Sequence, residues 1–203
     1  MMEMGEMMKL LLATKNEGKK KELLAMLQGL PYEVVTLKDL KDEIDVIEDG
    51  STFLENAMKK ASTYYHRHHL ITIADDSGLV VESLNGAPGV HSARYAGGHG
   101  DDQANNQKLL QVMKHVQSRR AKFVCSIVLY FGSDEFYHFK GEMHGTIGKA
   151  EKGKHGFGYD PLFIIEGLDT TSAEIEPSVK NNISHRAKAM AELCTFLKEK
   201  HHD

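Results

Sequence analysis

Two aspartates, Asp75 and Asp76, stand side by side at the end of an apolar run, Ile71-Thr72-Ile73-Ala74. Adjacent carboxylates repel, so such a pair is cheap only where a cation or a shared proton lies between them. Oxygen donors of this kind close to phosphate groups suit magnesium, which keeps much of its water and takes one or two carboxylates. An acidic stretch upstream, DEIDVIEDG, places Glu48 four residues ahead of Thr52, where it could turn toward the same ion. Glu48, Asp75 and Asp76 are therefore the candidate metal ligands and Mg2+ the candidate cofactor. A solvated Asp-Ser-Gly turn is the competing reading.

The segment ATKNEGKKKE, Ala13 to Glu22, could hold the anion that such a cation serves. It lies between a short apolar strand and an amphipathic helix, and a helix N-terminus offers unpaired N–H groups and a positive dipole end. Gly18, Lys19 and the loop backbone would cradle phosphate, with side-chain hydrogen bonds from Thr14 and Asn16. Lys19, Lys20 and Lys21 in the first turn oppose the dipole at a few tenths of a kcal/mol each unless an anion sits there. A lysine-rich solvated βα loop explains the same residues more blandly. Farther on, Asn56 and Lys60 share a helix face. In HGFGYDP, Phe157 between two glycines could stack on a flat base, although Phe157 and Tyr159 could equally be core. NISHRAKAM opens the last helix with Ser184 as N-cap. His185 and Arg186 in the first turn then suggest donors aimed at a ligand, with Lys180 just upstream.

Several other chemistries fail on inspection. Gly148 to His155 has P-loop spacing but ends in His155, where magnesium binding needs Ser or Thr. The chain has no G-x-S-x-G elbow and no H-E-x-x-H helix, and its GFGYDP run fails the dinucleotide fingerprint. The His66-Arg67-His68-His69 cluster lacks a fourth zinc ligand at a plausible spacing. Cys125 and Cys194 belong to no CxxC pair and read as reduced core thiols. The 203 residues carry 25 Lys and Arg against 29 Asp and Glu, a formal charge of −4, which argues against broad nucleic-acid binding. No apolar run approaches the roughly 20 residues of a spanning helix, and the start carries no basic leader or cleavage site. The expectation is a cytoplasmic protein without a membrane partner.

These residues need a scaffold, and the hydrophobic pattern outlines one. With 41% hydrophobic residues, a chain this long should remove roughly 70% of its unfolded surface from water, enough for a single domain over residues 1–203. Lys9 to Ala13 predicts a strand and Gly18 to Leu27 a helix. A strand follows near Glu33 to Leu37. A helix starts behind Thr52, with Glu55 completing a capping box and Phe53, Ala57, Ala61 and Tyr64 as its stripe. Ile71 to Ala74 predicts a strand ending on the aspartates, then a Ser77-Gly78 turn. A helix covers Gln103 to Lys114, and a hairpin turns at Gly132-Ser133-Asp134. A strand at LFII and a helix from Ser184 to about Lys200 close the chain. This order implies an α/β fold with a mixed sheet.

Together LLLATKNEGK, STFLENAMKKA, IADDSGLVVESLNGAPGVHSARYAG, GFGYDPLF and SHRAKAM resemble the Ham1 family of inosine triphosphate pyrophosphatases over nearly the whole chain. The resemblance implies an elongated two-lobed α/β body around a long mixed sheet. It also implies a magnesium-dependent, homodimeric cytosolic enzyme that cleaves dITP, ITP and XTP to monophosphate and pyrophosphate. Carried over, Thr14, Lys15, Asn16, Glu17, Gly18 and Lys19 would hold the triphosphate, assisted by Lys60. Glu48, Asp75 and Asp76 would manage the metal, with Asp76 as proton acceptor, and Ser77 would touch substrate. Phe157, Gly158, Tyr159, Asp160, Lys180, His185 and Arg186 would hold base and sugar. Lys15 stands where many members have Gly, and the first eight residues, MMEMGEMM, match nothing and are expected to fray. A Maf-like pyrophosphatase of pyrimidine or modified nucleotides is a related alternative, which the SHR and GFGYD blocks argue against. A non-catalytic nucleotide sensor is another, and it would need no base at Asp76.

Overall fold

The computed structural model describes residues 7–133 and 135–202. Residues 1–6 of the expected frayed extension, and Asp134 of the expected turn, lie outside the described residues. Met8, counted with that extension, instead opens the first strand. Among the described residues six strands form one sheet: β1 (Met8–Leu12), β2 (Tyr32–Thr36), β3 (Ile71–Val81), β4 (Arg120–Gly132), β5 (Glu135–Ile147) and β6 (Phe163–Ile165), in the order β2-β1-β3-β4-β5-β6. β1 is parallel to β2 and to the first residues of β3, because helices α1 (Glu17–Leu27) and α2 (Phe53–His68) carry the crossovers. From β3 to β6 the pairing is antiparallel. The mixed α/β sheet is the one that the element order implies.

Strand alternation decides where the chemistry faces. Leu10, Leu12 and Ile73 point into a core shared with Leu23 and Leu27 of α1 and with Met190, Leu193 and Leu197 of α5 (His185–His202). Leu11, Ala13 and Ala74 point the other way, onto Ala57, Ala61 and Tyr64 of α2. Burying each such leucine contributes roughly 1.5–3 kcal/mol, so the register of β1 and β3 is firmly set. A third core at the far end of β3 to β5 gathers Leu79, Val81, Phe123 and Phe163 with Leu109 of α3 (Asp102–Val112). Continued along β3, the alternation puts Asp75 on the α1 and α5 face and Asp76 on the α2 face.

Ser77 and Gly78 form no turn. β3 runs straight through them, paired with β4 from Thr72 opposite Tyr130 to Val81 opposite Ala121. The long partner strand supplies hydrogen bonds that keep the backbone extended where local composition favours a bend. Gly78 is small for another reason: a Cβ there would lie 2.4 Å from Ser92 Oγ and 2.6 Å from the Gly89 oxygen. A 3-10 turn, Gly89–Arg94, packs directly on this point of the strand. The capping box on α2 forms as expected, Thr52 accepting from the Glu55 amide while Glu55 accepts from the Thr52 amide. One short helix, α4 (Pro177–Ile183), is not foreshadowed by any apolar stripe; Pro177 at its first turn is its signal. No described helix is long and apolar enough to cross a membrane.

Candidate active site

β1 ends at Leu12 while β3 continues, and the loop from Ala13 to Asn16 fills the space beside the free edge of β3. Asn16 caps α1, its side-chain oxygen accepting the Lys19 amide at 2.9 Å, and its own amide donates to Thr14 Oγ1 at 3.3 Å. The amides of Glu17 and Gly18 have no intrahelical acceptor, as in any first turn. Lys19 points inward, its ammonium 3.0 Å from Asp75 Oδ2, and Lys20 pairs with Glu17 at 2.6 Å. Pairing with these carboxylates offsets the dipole cost of Lys19 and Lys20. Glu17 and Lys15 face away from the interior: Glu17 is exposed, and the Lys15 ammonium reaches the Glu43 oxygen at 2.5 Å and Asp45 at 2.8 Å.

The acidic segment 42–50 is neither helix nor strand, so side chains must hold it. Asp42 accepts from Arg67 Nε at 2.8 Å and from the Ile44 amide at 2.9 Å, and it lies 2.6 Å from His68 Nε2. Tyr64 donates to the Ile44 oxygen at 2.6 Å. The histidine-rich end of α2 is thus a clasp, and among the described residues no group of three His, Cys, Asp or Glu could hold a metal ion. Burial alone would raise the Asp42 carboxyl, but hydrogen bonds from Arg67, the Ile44 amide and His68 bring it to about 2 from 3.8. A carboxyl lowered on folding stabilises fully above its unfolded value and ceases to do so as pH falls through its folded value. We expect the wild-type melting temperature to drop between pH about 4 and 2, and Asp42→Asn to shrink that drop; an identical acid profile in the variant would remove the clasp from the account.

At the end of that segment Glu48 Oε1 accepts from Lys60 at 2.5 Å. Burial would lower the Lys60 ammonium, but Asp75, Glu48 and Asp76 outweigh it and hold it above its ordinary value. Asp76 is bonded at both oxygens, by Asn56 Nδ2 at 2.9 Å and by the Ser77 amide at 2.8 Å. Burial raises its carboxyl, Glu48 adds to the rise, and Lys19, Lys60 and Asn56 only partly oppose it. A carboxylate lifted in this way is a stronger base than a solvated one. Asp75 differs: burial pushes it up, yet Lys19, Arg186 and Lys60 bring it down to about 2. The two carboxylates share the fields of Lys19 and Lys60, but only Asp75 also has Arg186 beside it and only Asp76 is raised.

On the α1 and α5 side a pocket open to solvent lies beside Lys19. Asn16, Ser77, Phe157 to Asp160, Lys180, His185 and Arg186 line it, as do Ser92, Ala93, Asp102 and Phe123. Phe157 lies directly on Gly18, where a Cβ would come within 2.5 Å of the ring. The Phe157 amide donates to Asp160 at 2.9 Å and the Gly158 amide to Asp102 at 2.7 Å. Tyr159 is core, its hydroxyl donating to the Ser92 oxygen at 2.9 Å. Ser184 caps α5 through the Ala187 amide. His185 stacks on Phe123 with centroids 4.8 Å apart, and burial, with Arg186 and Lys180 nearby, holds its imidazole well below its ordinary value. It is therefore neutral and no burden on the helix N-terminus. Its Nδ1 is buried with no hydrogen-bond partner among the described residues.

Beneath the pocket runs a buried network of charges. Arg186 pairs with Glu22 and donates to Ser77 Oγ at 2.9 Å, and its Nε is 3.7 Å from Asp75. Lys180 joins Glu22 at 2.9 Å to Asp160 at 2.5 Å and lies 5.0 Å from the Phe157 ring centre. Burial raises Glu22, but Arg186 and Lys180 overcome this and lower it. Arg186 and Lys180 are thus paired with carboxylates, and both also line the pocket where the sequence suggested donors aimed at a ligand, Arg186 Nε having no hydrogen-bond partner among the described residues. Glu22 is the member that sequence reasoning missed. Its signal is positional: it follows Lys19 by three residues and shares its helix face. Asn56, Ser92 and Asp102 were likewise not singled out as site residues.

The comparisons with known proteins agree over nearly the whole chain. The family model described as the Ham1 family matches residues 10–196. The chain is 47% identical to the dITP/XTP pyrophosphatase of Clostridium tetani, covering 93% of this chain and 95% of the relative. It is also 47% identical to the protein of that name from Geobacter sulfurreducens, covering 94% and 97%. The Ham1 protein of Staphylococcus aureus superimposes with a TM-score of 0.86 at 40% identity, over 95% of this chain and 99% of that one. A HAM1 protein from Coxiella burnetii gives 0.88 at 38% identity, over 95% and 100%.

Proposed function

The chain belongs to the Ham1 family, and on that premise we propose that it hydrolyses noncanonical purine nucleoside triphosphates, dITP, XTP and ITP, to the monophosphate and pyrophosphate. The observation that carries the reading is the position of Lys19. Its ammonium lies 3.0 Å from Asp75, its charge acts on Asp76, and it lines the pocket that Phe157 and His185 share. A phosphate loop, a basic carboxylate and an aromatic pocket thus belong to one site. A ring on Phe157 would leave its phosphates running past Lys19 and the first turn of α1 toward Lys60 and Asp76. There Asp76 takes a proton from a water whose oxygen attacks a phosphorus of the α–β anhydride; the bridging P–O bond breaks, and monophosphate and pyrophosphate separate.

Magnesium belongs to this proposal: Glu48, Asp75 and Asp76 do not form a ready three-carboxylate site, but two carboxylates with water and phosphate are a shell that magnesium accepts. Lys60 lies in the field of three carboxylates, and one of their oxygens, Asp75 Oδ1, is buried without a partner among the described residues. Glu48 and Asp76 would hold the ion, with water and phosphate completing its shell as magnesium prefers. Asp75, already paired with Lys19, adds charge. When bound, the ion would neutralise charge that builds on the phosphates. Base selection follows from the pocket. Hypoxanthine and xanthine carry a 6-oxo acceptor where adenine carries an amino donor, so donors facing the ring's 6-position leave ATP with donors opposed, at about 1–3 kcal/mol each. His185 Nδ1 and Arg186 Nε, both buried without a hydrogen-bond partner among the described residues on side chains that line the pocket, are the groups left to read that edge. The reading extends to a cytosolic homodimer.

Incubating the protein with magnesium and a panel of triphosphates, then measuring pyrophosphate against orthophosphate, tests the reaction. Pyrophosphate from dITP, XTP and ITP is expected, and orthophosphate as main product would overturn it. Phe157→Ala should raise KM about tenfold and lower kcat less than threefold, since base stacking is worth about 1–3 kcal/mol. An unaltered KM would exclude stacking.

A further inference from the structure

Arg94 ends the 3-10 turn Gly89–Arg94, and nothing in the proposed reaction so far uses it. Its Nη2 donates to the main-chain oxygen of Glu48 at 2.8 Å. The turn behind it is fastened to the base end of the molecule. Ser92 Oγ accepts the Leu79 amide of β3 at 2.9 Å and donates to the Gly89 oxygen at 2.6 Å, while the Ser92 oxygen accepts the Tyr159 hydroxyl. Ser92 and Ala93 line the pocket, so a ring seated there touches the residue next to Arg94.

The other side-chain bonds that hold segment 42–50 come from elsewhere. Tyr64, Arg67, His68, Asn56, Lys59 and Lys60 belong to α2, and Lys15 belongs to the loop after β1. Among the described residues Arg94 is the one hydrogen-bonded anchor of this segment that comes from the base end. A segment with no ladder of its own exchanges and shifts readily unless such anchors hold it. One guanidinium therefore joins the pocket wall to the backbone of the residue whose carboxylate serves the cation.

We propose that Arg94 is a positioning residue through which a nucleotide in the base pocket steadies Glu48. The inference rests on the nucleotide-hydrolase reading above and names a part of its machinery.

Hydrogen exchange on the full chain, without metal, tests it. In the free protein, amides of 44–49 should exchange about tenfold faster in Arg94→Ala than in wild type, and Arg94→Lys, which keeps a donor, should restore most of the protection. Deoxyinosine monophosphate should protect both 157–160 and 44–49 in wild type, and only 157–160 in Arg94→Ala. With magnesium and dITP, Arg94→Ala should lose about tenfold in kcat and change KM less than twofold. Equal exchange of 44–49 in free wild type and Arg94→Ala would overturn the proposal, whatever the ligand does. So would loss of protection at 157–160 in the variant, or a rise in KM alone, because Arg94 would then act on the ligand directly. A wild type that gains no protection from the monophosphate while the free-protein difference stands would overturn the nucleotide reading and leave Arg94 as a strap only.

Discussion

Asp76→Asn is expected to lower pyrophosphate release from dITP by about a thousandfold, roughly 4 kcal/mol in the barrier, while the calorimetric Kd for dITP changes less than about threefold. A positioned base contributes about 10²–10⁴-fold, and Asp76 is built for that work: burial and Glu48 raise its carboxyl, and Asn56 and the Ser77 amide fix its two oxygens. The amide cannot take a proton from water. It also cannot satisfy both neighbours, because Asn56 Nδ2 and the Ser77 amide are both donors. One of them must face the new NH2, so the folded state should lose about 1–3 kcal/mol, visible in urea unfolding and separate from the rate. Excess magnesium decides between two roles. If turnover returns to wild type at high magnesium, Asp76 serves only as a ligand; if turnover is unchanged from the outset, it has no part in the reaction.

The residues of this site were largely legible in the sequence, but their relations were not. Asp75 and Asp76 announce themselves as a pair, yet their facing follows from β3 running straight, and that depends on β4, some fifty residues later. Local composition at Ser77-Gly78 argues for a turn; the ladder and the turn packed on Gly78 overrule it. Lys15 enters the triphosphate set only through the resemblance, and its acceptors at Glu43 and Asp45 are 28 and 30 positions away. Lys180 and Arg186 were identified by type, and their commitment to Glu22 spans 158 and 164 positions. Periodicity sees the helix that carries Glu22 and says nothing of what meets it. The sheet itself was readable because apolar alternation is local and its consequence, which side is buried, is nearly binary. Ion pairs between distant elements have no such local signature.

That buried network carries the largest expected effect on stability. Arg186 is almost wholly buried and is the group that Glu22, Ser77 and Asp75 share. Removing one partner of a buried ion pair leaves the other charge unpaired away from water, at about 3–5 kcal/mol. Arg186→Ala should therefore lose about 3–5 kcal/mol in urea unfolding. The lost packing of its buried stem belongs to the same change. Glu22 keeps Lys180, and Asp75 keeps Lys19, so neither carboxylate is orphaned outright and the loss should fall at the lower end of that range. Arg186→Lys should recover only part of the loss, because an ammonium is a single point of charge and the guanidinium reaches three groups at once. Glu22→Gln separates fold from function. It should weaken the network and raise KM for dITP, because Lys180 and Arg186 would no longer be drawn toward α1 beneath Phe157, while kcat at saturation should fall less than threefold. An Arg186→Ala protein as stable as wild type would show that solvent, and not Glu22 and Asp75, already neutralises this charge.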